Sequence, residues 1–123
     1  MEYSSATKII LLIAVLVGVL APAAKALRTC SPYKYEPGSS LEANILTILE
    51  SIRTVTANAP GRSYTIRLPS PNVIGFSSCH TDIAIEDCIS CISSSVDDTK
   101  DQCAGAVAAT NWQDVCSMFY AVE

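Results

Sequence analysis

Three of the six cysteines in this 123-residue chain lie within thirteen residues, Cys79 to Cys91, at the spacing Cys-x8-Cys-x2-Cys. Three thiols this close cannot all pair with one another, so at least one must bond to a distant segment. The chain is therefore pinned outward from this cluster. All six cysteines fall after residue 26. An even count in a small exported domain signals a disulfide framework, and six cysteines admit fifteen pairings among which the sequence alone does not choose.

The expectation of export comes from the N-terminus. Ile9 to Leu20 carries no charge, Lys8 precedes it, and Ala21-Pro-Ala-Ala-Lys-Ala26 follows with small residues where a signal peptidase reads. The apolar run is shorter than the ~20 residues a membrane span needs, so this reads as a secretory signal with no stable membrane insertion. We place cleavage after Ala26, with Ala23 as the alternative. The chain then divides into a signal peptide at 1–26 and one domain at 27–123. That domain holds six Lys and Arg against eleven Asp and Glu, a net charge of −5. An acidic balance argues against nucleic acid, anionic membrane and cationic membrane disruption, each of which needs a basic face. No Asn-x-Ser/Thr occurs, so N-glycosylation is not expected.

Along the domain, Leu27 to Gly38 reads as irregular, with Tyr33 to Tyr35 as a short edge strand. Ser39 and Glu42 form a capping box ahead of Leu41, Ile45, Ile48, Leu49, Ile52 and Val55 at helical spacing. Asn58-Ala-Pro-Gly61 ends that helix. Tyr64, Ile66 and Leu68 alternate as a half-buried strand, and Val73 to Ser77 is a second, with Gly75 marking a bulge or a close approach. Ile85, Ile89, Ile92 and Val96 predict one apolar face of a helix over about 83–99, capped by Thr81 or Asp82. The small-residue run Ala104 to Ala109 fits either state, and Val115 to Val122 reads as a last strand. The order implies α+β: two helices on one face of an antiparallel sheet.

The motifs that invite chemistry each have a plainer reading. Cys88-x-x-Cys91 has redox spacing, but beside four further cysteines it reads as two structural half-cystines. His80 is the only histidine and no second CxxC exists, so no metal and no cofactor is expected. His80 lacks a thiol or serine in a catalytic setting, and the chain reads as not an enzyme. Asp97, Asp98 and Asp101 lack the calcium-loop pattern. Trp112, the only tryptophan, suits either a sugar-stacking platform or a half-buried position.

Taken together, Cys30, the triplet Cys79-x8-Cys88-x2-Cys91, Cys103 and Cys116, with the capped helix after Cys30, resemble the plant Gnk2-homologous (DUF26, stress-antifungal) domain across nearly all of 27–123. The resemblance implies a five-stranded antiparallel sheet with two helices and the pairing Cys30–Cys103, Cys79–Cys88 and Cys91–Cys116. It implies a secreted, apoplastic, non-enzymatic defence-type binding protein, antifungal or carbohydrate-binding. The mannose-binding member ginkbilobin uses an asparagine after the first cysteine, an arginine six before the last and a glutamate five after it. Here those positions hold Ser31, Thr110 and Ala121, so the charged grip on a sugar is gone. Asn111, Gln113 and Glu123 are the nearby candidates to replace it. The alternative is a protein-interaction module without sugar binding, its partner a cell-surface protein.

Overall fold

The computed structural model describes residues 27–123; the signal peptide expected at 1–26 lies outside the described residues. Helix α1 (Ser40–Val55) begins where Ser39 Oγ accepts a hydrogen bond from Glu42 N at 3.2 Å. The Glu42 carboxylate reaches back one residue further than a simple capping box, to Gly38 N at 2.6 Å. Both contacts satisfy backbone donors that the first helical turn leaves without partners. The helix buries Ile45, Ile48, Leu49 and Ile52, each contributing about 1.5–3 kcal/mol on full burial.

Two short 3-10 turns then lead into the sheet. Its strands are β1 (Leu27–Cys30), β2 (Ser63–Leu68), β3 (Val73–Cys79), β4 (Ala108–Trp112) and β5 (Cys116–Val122). They run in the order β1-β4-β5-β3-β2, and every neighbouring pair is antiparallel. Helix α2 (Ile85–Gln102) packs beside α1 on the same face. The fold is thus two helices on a five-stranded antiparallel sheet.

Three local expectations are corrected, and one left open is decided. Tyr33 to Tyr35 makes no strand; Lys34 forms only an isolated bridge to Ala106, and the edge strand is β1, earlier in the chain. Gly75 sits in unbroken register, opposite Ile66 and Tyr120, so it marks close approach and not a bulge. Neither Thr81 nor Asp82 caps α2. Arg62 Nη1 donates to the Ile83 carbonyl at 2.7 Å and to the His80 carbonyl at 3.3 Å. Ile83 O is thereby occupied outside the helix, and the helical ladder starts at Ala84 O. Finally, the buried side of α2 is Cys88, Ile92, Ser95, Val96 and Thr99, while Ile89 is 45% exposed. Disulfides Cys79–Cys88 and Cys91–Cys116 hold the helix to β3 and β5, and that tether turns Ile89 outward.

The third bridge, Cys30–Cys103, joins the end of β1 to the end of α2. Among the described residues no cysteine is free, and no helix is long and apolar enough to cross a membrane.

Candidate functional site: the uncovered sheet face

Strand geometry sends alternate side chains to opposite faces. The inward set is fixed by contacts with the helices. A side chain at Gly75 would run into Ile48 of α1. Thr99 of α2 meets Met118 and Asn111, and Ser95 meets Cys116. Neighbouring positions therefore point away, and the registers align them: Thr110 opposite Phe119, Phe119 opposite Phe76, Ala108 opposite Ala121, and Ala121 opposite Ile74. Phe76 and Phe119 lie with ring centroids 5.9 Å apart. Leu27 and Trp112 flank them at 66% and 60% exposure. No element among the described residues covers this face.

Positions Ser31, Thr110 and Ala121, far apart in sequence, converge on it. With Thr29 and Ala108 they line a concavity of about 280 Å³ at the β1–β4–β5 end. Its only side-chain polar groups are hydroxyls, apart from the phenol of Tyr120. Ser31 Oγ already accepts from Tyr33 N at 3.1 Å. The Tyr120 hydroxyl donates to the Ala106 carbonyl at 2.8 Å, and burial, aided by Tyr35, pushes its pKa up to about 12. It stays a neutral donor turned into the protein. No charged side chain lines the hollow, so charge-assisted recognition of sugar hydroxyls has no means here.

The proposed replacements do not gather there either. Asn111 is fully buried under α2: its Nδ2 donates to Asp98 Oδ2 at 2.9 Å and Thr99 Oγ1 at 3.1 Å, and its Oδ1 accepts from Gln113 Nε2 at 3.3 Å. Glu123 pairs with Arg67 at 3.2 Å across the sheet edge. A second concavity, about 410 Å³, lies at the opposite end of the face. It is lined by Trp112, His80, Asp114, Gln113, Ser78 and Ser117 together with Cys116, a grouping of an aromatic plane with polar side chains that sequence spacing did not reveal.

The remaining sequence candidates are dispersed. Asp97 bonds Arg53 Nη2 at 2.8 Å, and the guanidinium holds its carboxyl below the usual range. Asp98 bonds Arg28 at 2.6 Å. Among the described residues no group of three or more His, Cys, Asp or Glu is placed to hold a metal.

Residues 29–123 match the family model described as salt stress response/antifungal. The chain is 31% identical over 97 residues to plasmodesmata-located protein 8 of Arabidopsis thaliana, covering 74% of this chain and 35% of that protein. It is 28% identical over 95 residues to plasmodesmata-located protein 5 of the same plant, covering 74% and 32%. Among solved structures, it is similar to the tandem DUF26 ectodomain of the Arabidopsis thaliana cysteine-rich receptor-like protein PDLP8, with a TM-score of 0.73 at 28% identity over 79% of this chain and 48% of that one. The chain spans about a third of the curated relatives and just under half of the solved one. A six-cysteine sheet-and-helix domain, matched from residue 29 to its last residue, belongs to the salt stress response/antifungal (DUF26) family.

Proposed function

We propose that this chain is an exported, non-enzymatic binding domain that docks a protein through the uncovered sheet face. The observation that carries the reading is the convergence of Ser31, Thr110 and Ala121 in a hollow without charge, beside Phe76 and Phe119. Exposed aromatic and aliphatic groups on a depleted-charge patch suit protein recognition better than sugar recognition. Three disulfides and the signal pattern at 1–26 fit an extracellular destination such as the apoplast, and the solved relative is an ectodomain. A defence role would follow from what the domain binds at the cell surface.

The Trp112 concavity favours carbohydrate as a second reading, with the indole as a stacking plane and Asp114, Gln113 and His80 as hydrogen-bonding groups. One experiment separates the two. Labelled protein is titrated onto intact plant cells as wild type, as Ala121→Arg, and as Glu86→Lys on the exposed side of α2. The protein reading expects saturable binding that trypsin treatment of the cells abolishes, that Ala121→Arg loses and that Glu86→Lys keeps. Binding that survives trypsin but yields to soluble mannan, with a shift of the single tryptophan's emission, would overturn it in favour of sugar.

A further inference from the structure

Resting on that protein-docking reading, we propose that the partner is a second domain of the same fold, supplied by a second copy of this chain and packed sheet face to sheet face. The charge distribution points there. The described chain carries a net charge of −5, so two copies repel unless they meet through a neutral surface. The outward sheet face comes nearest to that: among the described residues Arg67 is the one charge at an outward strand position, Glu123 pairs with it at the rim, and Asp114 stands off the strands at the Trp112 end. Moreover, β5 is the middle strand of five, which puts Phe119, with Phe76 beside it, at the centre of the patch. A two-fold axis near Phe119 would stack the pair on its copy, the self-complementary arrangement that closed dimers use. Leu27 and Trp112 would be covered at the margin.

The size of the patch limits how strong the contact can be. Strands lie ~4.8 Å apart and residues rise ~3.3 Å. Five strands of at most seven residues thus present roughly 20 by 23 Å, about 450 Å² of projected face per copy. Two such faces give about 900 Å² before side-chain relief, below the ~1,200 Å² of standard specific complexes and in the range of weak, transient ones, so a weak dimer is expected. The solved relatives are tandem DUF26 ectodomains of which this chain covers 48%, so the same fold occurs more than once in each of those molecules.

The test is sedimentation velocity of the oxidised protein from about 1 to 500 μM, with tryptophan emission read on the same samples. The mass should rise from monomer toward dimer, and the Trp112 emission should move to shorter wavelength over the same range. Phe119→Glu and Ala121→Arg should each weaken association at least tenfold, with near-ultraviolet circular dichroism checking that each is folded. A monomer at 500 μM overturns the proposal, as does a dimer that a folded Ala121→Arg leaves intact. If the wild type stays monomeric while Ala121→Arg still loses trypsin-sensitive binding to cells, self-docking falls and the protein-docking reading stands. If both measurements are indifferent to Ala121→Arg, both readings fall.

Discussion

Gly75→Ala should destabilise the domain, and the reason is close packing and not backbone freedom. A Cβ built at Gly75 collides with Ile48 Cγ2, sits 3.2 Å from Ile66 Cγ2 and lies 3.5 Å from Ile52 Cδ1. Ile48 and Ile52 are fully buried, and Gly75 is held between β2 and β5 by continuous pairing. Neither side can yield without moving α1 off the sheet. Overpacking of this kind costs about 1–3 kcal/mol. The alanine restricts the unfolded chain and returns about 0.4–1 kcal/mol. The net expectation is a loss of about 1–2 kcal/mol, or roughly 5–15 °C in Tm for a domain of this size. Denaturant unfolding with the disulfides intact measures it. Ile48→Leu supplies the control, because it removes the Cγ2 methyl that faces the strand while conserving volume, at less than about 1.5 kcal/mol alone. In the double variant the two changes should couple favourably by about 1 kcal/mol or more. A Gly75→Ala protein as stable as wild type, or a double variant whose losses simply add, would refute the argument that α1 is seated directly on Gly75.

Two further outcomes follow from buried groups. Tyr120 titrates near 12 in the folded protein against ~10 when unfolded, so between those values the unfolded state has lost a proton that the folded state keeps. Stability is therefore full below pH 10 and falls as pH rises toward 12, by roughly 1 kcal/mol at pH 11; unfolding at pH 8 and 11 should show the drop, and Tyr120→Phe should flatten it. Removing Cys30–Cys103, which closes a separation of 73 residues, should cost about 4 kcal/mol, against about 3 kcal/mol for the nine-residue separation of Cys79–Cys88; in the Cys30→Ser/Cys103→Ser variant the amides of β1 should exchange before those of β5.

What the sequence disclosed tracks where local chemistry decides structure. α1 was legible because its cap and its periodicity act within a turn of themselves, whereas its end falls at Val55, ahead of the Pro60-Gly61 pair, which sits in a separate 3-10 turn. β2 and β3 were legible from alternation. By contrast, β1 has only four residues and is almost wholly exposed; it exists because β4 offers it an edge and Cys103 anchors its end, and both partners are more than 70 residues away. β4 grew out of a run of alanines that has no period. The rotation of α2 was missed for the same reason: Ile85 and Ile89 look like core by spacing, but the tethers at Cys88 and Cys91 decide which side faces the sheet. Asn111 looked available for a ligand by position. Its burial depends on Asp98 and Thr99 standing over it, a fact of tertiary structure alone.

The division between the two sheet faces explains how one framework can serve different ligands. The inward face holds the core, and it is bound to the helices by Gly75, Met118, Asn111 and the bridges from Cys79 and Cys116. Changes there are expected to cost on the order of 1–3 kcal/mol. Outward positions such as Ser31, Thr110 and Ala121 are held in place by the register of β1, β4 and β5 and contribute little to it, because substitutions at solvent-facing sites usually shift stability by under about 0.5 kcal/mol. The three positions can therefore exchange a charged, sugar-gripping set for hydroxyls and a methyl while the strands that carry them stay put. The fold keeps those positions together whatever they hold, so under the proposed function the chemistry of the hollow can change without a change of frame.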